Sequence, residues 1–329
     1  MKFYGGYHEL ELAAGKEYHR DCLKLNSGRN ALEFILRSNK YSKVFLPYYT
    51  CDVLLTPIIR AGVGYKHYSI GKDLLPLFDF TILQEDEAVV VTNYFGLLDS
   101  YIGTLSGMGN IIVDNAQAFY AKPVIGMDTF YSPRKFFGIP DGAYLAPKNK
   151  DLACKLYQEL AQDESWDRCV HLLKRLDDQI EGGYKDFKKL SPVFQALPLR
   201  KMSELTYRML DSIDYDGVRD KRRANYKRVH TALGKHNKLT LALEEDCVPL
   251  AYPFLSSVKG LRDKLIAQGI FVPQYWANVS GWASKDSFES DLAENLVAIP
   301  IDQRYDDSDI RSILNTISDC FLEDDCLDE

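Results

Sequence analysis

The stretch Ile111-Ile112-Val113-Asp114-Asn115-Ala116-Gln117 puts an acid directly after a short apolar run. A run of this length, bounded by polar residues, reads as a buried strand over 110–113. Working outward, Ala88–Thr92 (AVVVT), Asp128–Tyr131 (DTFY), Gly142–Leu145 (GAYL) and Val44–Leu46, stopped by Pro47, read the same way. Between them lie helical stretches. Gly28–Asn39 sets Leu32, Ile35 and Leu36 on one face, and Asp52–Ala61 is ended by Gly62. Strands alternating with helices imply an α/β fold, a mixed and mostly parallel sheet sandwiched by helices. Ligands of such sheets bind at the carboxyl ends of the strands, so the residues just after each run are the candidates.

The rest of the chain is less regular. From Asp151 to about Leu233 it reads as mostly helical, with Arg200–Ile213 and Gly217–Leu233 clearest and Gly182–Pro198 a long loop. Strand-like Tyr252–Ser257, helical Val258–Gln268 capped by Gly269, strand-like Leu296–Ile301 and helical Asp307–Leu322 follow, with a frayed acidic tail beyond. A boundary near residue 215 is expected. It would divide a large α/β domain (1–215) from a small C-terminal α+β domain (216–329).

Composition narrows the class. The 329 residues are 46% hydrophobic and 26% charged, the mix of a globular protein. Forty Lys and Arg against 47 Asp and Glu leave a net charge of −7, which disfavours a nucleic-acid surface. The densest basic run, Lys221-Arg222-Arg223, reads as a solvated helix face. No apolar stretch is long enough to span a membrane, and Met1–Glu11 does not read as a signal peptide. The seven cysteines form no Cys-x-x-Cys pair and fit reduced thiols in a cytoplasmic protein. No metal is expected, because the histidines and cysteines lack ligand spacing. The sequon Asn278-Val279-Ser280 reads as chance, and Gly62-Val63-Gly64 follows a helix, so it is no dinucleotide fingerprint.

Three strand-end loops could carry chemistry. Asn26-Ser27-Gly28-Arg29-Asn30 opens a helix, whose free N–H groups could cradle a phosphate; a plain Ser N-cap is the alternative. Asp114 could hold a protonated ring nitrogen, with Gln117 donating on the same side; a helix cap and a surface Gln are the alternative. Ser132-Pro133-Arg134-Lys135 precedes Phe136 and Phe137. Desolvation by those rings would lower the Lys135 pKa and free its amine for Schiff-base chemistry; a solvated surface lysine is the alternative.

Phosphate loop, acid, then lysine about 20 residues beyond the acid is the order of pyridoxal-phosphate enzymes of the aspartate-aminotransferase fold (fold type I). The chain resembles the DegT/StrS-type aminotransferases, which act mostly on nucleotide-linked keto sugars. LNSGRNALEFIL resembles their Ser-Gly-Thr-x-Ala-Leu opening, and FLPYYTCDVLLTPIIRAG their Pro-x-x-Thr segment. VVVTNYFG resembles a Val-His-x-x-Gly strand end, VDNAQAFYA the Glu-Asp-x-Ala-Gln/His stretch, and FYSPRKFFGIPDGAYLAP the lysine loop with its glycine turn. MSELTYRMLDSIDYDGVRDKRRANYKRVHTAL resembles the long interface helix, and LVAIPID the strand before the last helix. The helix near Met202, Leu205 and Leu210 is accordingly expected to pack in a dimer.

The resemblance implies a pyridoxal 5'-phosphate-dependent aminotransferase. Lys135 would be the Schiff-base lysine and proton carrier, and Asp114 would pair with the pyridine nitrogen. Gln117 would bond the phenolic oxygen; Ser27, Gly28, Arg29 and Ser132 would hold the phosphate. Asn93, Tyr94 and Tyr275 are the candidate substrate contacts, with core packing the alternative for Tyr275-Trp276. An amino-acid donor, glutamate first, a keto-sugar acceptor and a homodimer with shared sites are implied. The setting would be surface polysaccharide synthesis.

Departures from the pattern are visible. Arg29 replaces a Thr, Phe130 a Ser, and Leu199-Arg200-Lys201 an Asn-x-Arg stretch. Cys51 stands where an aromatic usually stacks on the cofactor, so stacking falls to Tyr49 or Tyr94. These motivate an alternative, a non-catalytic relative that binds a sugar nucleotide or a protein. A sugar dehydratase of the same family would carry His in place of Lys135.

Overall fold

The structure is a computed structural model and describes residues 4–177 and 180–325. Ten strands run in chain order as β1 (Leu23–Leu25), β2 (Lys43–Pro47), β3 (Gly64–Ile70), β4 (Pro76–Leu77), β5 (Glu87–Thr92), β6 (Ile111–Asn115), β7 (Asp128–Tyr131), β8 (Ala143–Ala146), β9 (Tyr252–Leu255) and β10 (Leu296–Ile299). The helices are α1 (Gly28–Asn39), α2 (Leu55–Ala61), α3 (Asp99–Thr104), α4 (Lys150–Gln158), α5 (Val170–Asp177), α6 (Ile180–Ala196), α7 (Glu204–Asp211), α8 (Tyr215–Leu233), α9 (Leu261–Ala267), α10 (Phe288–Asn295) and α11 (Asp307–Asp325).

The first eight strands form one sheet in the order β1-β8-β7-β6-β5-β2-β3-β4. Its centre, from β7 to β3, is parallel, and β8, β1 and β4 pair antiparallel at the edges. This is the expected mixed, mostly parallel sheet. Strands β5, β6 and β7 are buried on both faces, which is why they read as continuous apolar runs. In β5, Ala88 and Val90 enter one core, and Val89 and Val91 the other. That alternation follows from the two-residue repeat of a strand. The chain reverses its direction across the sheet between β2 and β5, which creates a crevice at their carboxyl ends. A second, two-stranded antiparallel sheet, β9 with β10, shares the apolar core that includes Val89 and Val91.

Several expectations need correction. Gly182–Pro198 is not a loop, since α6 covers most of it and carries Pro192 inside. Gly183 lets α6 pack on α5, because a Cβ there would lie 2.8 Å from the carbonyl oxygen of His171. The expected long interface helix is two helices, α7 and α8, joined near Asp214, whose side chain caps α8. Met202 and Leu210 are buried inside this chain rather than on a dimer face. Strands β1, β3 and β4 are additional; the mixed polarity of Gly64–Ile70 hid a strand exposed along its first half. The last helix runs to Asp325, so the acid pair Asp324-Asp325 is helical, and residues 326–329, Cys326 among them, lie outside the described residues.

The basic run is not a solvated face either. Arg222 is fully buried, and its guanidinium donates to the carbonyls of Phe136, Pro249 and Leu250 and to the Gln303 side chain. It also lies 4.6 Å from the centre of the Phe136 ring. A buried cation needs this many acceptors, and here they replace a counter-ion.

An aromatic cluster of Phe119, Tyr120, Tyr131, Phe136, Phe137 and Tyr144 underlies the lysine loop. His19 sits inside it and its Nε2 lies 2.6 Å from the Phe119 carbonyl oxygen. Burial pushes the His19 pKa from 6.5 to about 4, against the opposing hydrogen bond. The unfolded chain therefore takes up a proton as pH falls through 6.5, and the folded one does so only near 4. Stability due to this group is full above 6.5 and falls by about 1.4 kcal/mol per pH unit between those values. Buried Asp128 and Asp141, each raised to about 6 chiefly by burial, act in the opposite sense. The comparison of native chain with His19→Phe isolates the histidine. Urea unfolding should show the native chain losing stability relative to the variant from pH 6.5 to pH 4; parallel curves would contradict a buried neutral imidazole.

Candidate active site

The sheet brings four chain segments to one edge. In register across β5, β6 and β7, Thr92 opposes Asp114 and Asp114 opposes Phe130. Asp114 thus lies within β6, next to its last residue, rather than following it, and Lys135 lies in the turn after β7. The start of α1 and the segment after β2 complete the group.

Lys135 opens to solvent, but protein surrounds it closely enough that burial lowers its pKa. Asp114 and Cys51 oppose that shift, and Arg134 adds to it. No described residue hydrogen-bonds the Lys135 amine or pairs with it within 4.0 Å. Asp114 is 6% exposed, and its Oδ1 accepts from the Ala116 N–H at 2.8 Å. Burial raises its pKa, while the Lys135 charge and that N–H lower it. The two groups are thus electrostatic partners across the strand ends. In Lys135→Met, the Asp114 carboxyl should titrate at a higher pH than in the native chain. Carbon-detected NMR of labelled aspartate reads this, and an unmoved midpoint would mean the charges do not face each other.

Gln117 is 1% exposed. Its Oε1 accepts from the Phe95 N–H at 2.8 Å, and its Nε2 is buried with no partner. A buried donor without an acceptor is costly and rare, so this amide is set to donate to something the protein does not supply. Ser27 caps α1, its Oγ accepting from the Asn30 N–H at 3.2 Å. Gly28 borders Ser132 directly; a Cβ on it would sit 3.6 Å from the Ser132 Cβ. The helix start and the lysine loop therefore abut. Arg29 and Arg134 belong to these two segments, neither pairing with a carboxylate among the described residues. Gly142, at a φ of +104°, immediately precedes β8; a Cβ there would meet the Thr206 methyl at 2.9 Å.

Other candidates are placed elsewhere. Tyr49 and Tyr94 are sealed in the core, 0% and 1% exposed. Tyr94 donates to the Tyr49 carbonyl oxygen at 2.6 Å, and the Tyr49 ring packs against Trp276. Neither is free to stack on a cofactor ring, which corrects that expectation. Cys51 is half-buried beside Asp52 and within electrostatic reach of Lys135. Phe130 is core. Asn93 is fully buried, donating to Asp99 and Asn115 and accepting from the Leu98 N–H. Its amide holds the ends of β5 and β6 together, and both of its N–H donors are used within the chain. Tyr275 is half-buried near Phe95, and burial raises its pKa to about 12. A cleft of about 770 Å³, bordered by Asn93, Asn115, Lys122, Arg219 and Glu244, opens at the same edge, but Lys135 and Asp114 are not among its walls.

Two supports went unread in the sequence. Gln303 and Arg222 both donate to the Phe136 carbonyl, the one next to Lys135, and so tie the lysine turn to the C-terminal part of the chain. Beneath the Ser27 loop, Arg168 pairs with Asp141 at 2.7 Å and with Asp163 at 3.0 Å. Asp163 also accepts from Asn26, and Asp141 from Thr206. The Leu199-Arg200-Lys201 segment joins this network, since Asn26 N–H donates to the Arg200 carbonyl at 3.1 Å. Asp163→Ala would strip a buried cation of one counter-charge. Denaturant unfolding should show a loss of about 3 kcal/mol or more; a loss under about 1 kcal/mol would show that the network bears little of the stability.

No family model matches the chain, and no curated protein sequence does. Solved structures do. The putative sugar aminotransferase Spr1654 from Streptococcus pneumoniae, in its apo-form, superposes with a TM-score of 0.66 at 15% identity, over 93% of this chain and 87% of that one. DesV from S. venezuelae, in complex with a ketimine intermediate, gives 0.63 at 16% identity over 90% and 83%. A DegT DnrJ EryC1 StrS aminotransferase from Brucella abortus gives 0.59 at 15% identity over 90% and 85%. The chain has the fold of these proteins along nearly its whole length.

Proposed function

We propose that the chain is a pyridoxal-phosphate-dependent aminotransferase acting on a keto sugar. The observation that carries this is the meeting, on one sheet edge, of an unpartnered lysine amine, a buried carboxylate facing it and the buried, unpartnered Gln117 Nε2. The residues fit the cofactor. Lys135 would hold its aldehyde carbon, Asp114 a proton on its ring nitrogen, Gln117 its phenolic oxygen, and the Ser27–Arg29 turn with Ser132 its phosphate. When bound, the protonated ring acts as an electron sink for the bonds made to it. The chain supplies the rest. Burial lowers the Lys135 pKa and so favours the neutral amine, the form that would take a proton from one carbon and return it to another. Burial works against the charge on Asp114, and a facing cation, whether Lys135 or a protonated ring, favours it.

The finer reading belongs to the same proposal. The acceptor is a nucleotide-linked keto sugar, the donor an amino acid with glutamate first, and the setting cytoplasmic surface-polysaccharide synthesis. The active species is a homodimer whose sites are shared, and a boundary near residue 215 separates the cofactor-holding part from the smaller one. Lys135 in place of His disfavours the dehydratase. The sealing of Tyr49 and Tyr94 supports the second reading, a non-catalytic relative, because it leaves Cys51 where an aromatic would stack.

One experiment separates them. Purified protein with pyridoxal phosphate should develop a visible band that borohydride abolishes and that Lys135→Ala lacks, and glutamate should bleach it. A band of equal strength in Lys135→Ala would remove the lysine from its role. Absence of any band at saturating cofactor would leave the non-catalytic reading in its place.

A further inference from the structure

We propose that Arg222 is a positioning residue with two arms: with Gln303 it sets the Lys135 turn, and through Leu250 and Phe95 it sets the Gln117 amide. The inference rests on the cofactor reading above, which gives those two groups their partners. The aldehyde carbon and the phenolic oxygen sit on neighbouring ring atoms, so the amine and the amide must keep a fixed spacing. One buried guanidinium joined to both would keep it.

The first arm ends on the lysine turn. Arg222 Nη2 donates to the Phe136 carbonyl at 3.3 Å, and Gln303 Nε2 donates to the same oxygen at 2.8 Å. Arg222 Nε donates in turn to Gln303 Oε1 at 3.0 Å, so the Gln303 amide cannot turn over without losing both bonds. The second arm ends on Gln117. Arg222 Nη1 donates to the Leu250 carbonyl at 2.9 Å. The Leu250 N–H donates to the Phe95 carbonyl at 2.9 Å, and the Phe95 N–H donates to Gln117 Oε1 at 2.8 Å. That last bond fixes which end of the amide is left to donate, the unpartnered Nε2.

The second arm is stiff. Phe95 is fully buried and holds a φ of +57°, which a residue with a side chain keeps only where its surroundings impose it. Gly96, at a φ of +70°, is packed so closely that a Cβ would lie 2.9 Å from the Val248 carbonyl oxygen and 3.1 Å from that of Gln117. The segment around Val248–Leu250, the Phe95-Gly96 turn and Gln117 thus move together. Only a planar fork of five N–H groups serves both arms at once; the three donors of a lysine radiate from one atom. Arg222 pairs with no carboxylate among the described residues. Asp302, whose field favours its charge, is held by Arg304 at 2.7 Å. Carbonyls and the Gln303 amide therefore fix the guanidinium.

The test uses the full chain, with Arg222→Gln, Arg222→Lys and Gln303→Leu. Arg223→Gln is the control on the same helix, since Arg223 donates to the carbonyls of Glu244 and Cys247 and belongs to neither arm. Two readings are taken without cofactor: the pH midpoint for acetylation of the Lys135 amine, by mass spectrometry, and hydrogen exchange of the Phe95 N–H. Arg222→Gln should raise the midpoint by about half a pH unit or more, as the amine regains water. It should also speed Phe95 exchange by about tenfold or more. Gln303→Leu should move the midpoint and leave Phe95 exchange within about threefold of native. Arg222→Lys should keep at most one of the two native readings. Native values for both in either Arg222 variant, or equal shifts in Arg223→Gln, would overturn the proposal. Should neither Arg222 variant fold, Gln303→Leu decides it, an unmoved midpoint overturning the proposal and a raised one supporting it. Pyridoxal phosphate is then added. Shifts as stated with no visible band in the native chain would keep the two arms and overturn the cofactor reading. A native band with both readings unmoved in Arg222→Gln would overturn the arms and leave the cofactor reading standing.

Discussion

The pairing of β6 with β7 governs the site. Asp114 lies opposite Phe130, and the turn that follows β7 brings Lys135 back toward the same strand end. Their two charges then face each other across the strand ends, and burial favours the neutral form of each. The field of each on the other resists that outcome. A one-residue slip of this pair would turn Asp114 to the other face of the sheet and end the interaction.

Much of this was legible because it is local. A strand buried on both faces must be apolar, and its first polar residue must lie at an edge. That rule alone located Asp114, and the same logic located Asn93 and Ser132. The order of phosphate turn, acid and lysine then distinguished this sheet from other parallel sheets. Position along the chain says little, however, about which way a side chain turns. Asn93 and Tyr94 stand at a strand end as expected, yet both point inward, Asn93 to bind β5 to β6 and Tyr94 to hold the carbonyl of Tyr49.

What stayed hidden was built from distant residues. Arg222 sits in a basic run that resembles any solvated helix face, and only the folded chain brings the Phe136, Pro249 and Leu250 carbonyls to it. Arg168 and Asp163 lie in a stretch with no motif at all, and only the folded chain brings them to Asp141 in the lysine loop. Pro192 and the Gly-Gly pair argued for a loop, but the packing of α6 on α5 outweighed both.

The Phe136 carbonyl holds a last consequence. It accepts from Arg222 on α8 and from Gln303 ahead of α11, so residues from three distant parts of the chain converge on one oxygen beside Lys135. Among related genes, a recombination crossover between the lysine turn and either donor would combine an oxygen shaped for one pair of donors with a pair shaped for another. Such chimaeras would keep every motif of the N-terminal half and still misplace the amine. These three positions should therefore be inherited as a block, and a C-terminal region exchanged for a relative's would have to bring its own lysine turn with it.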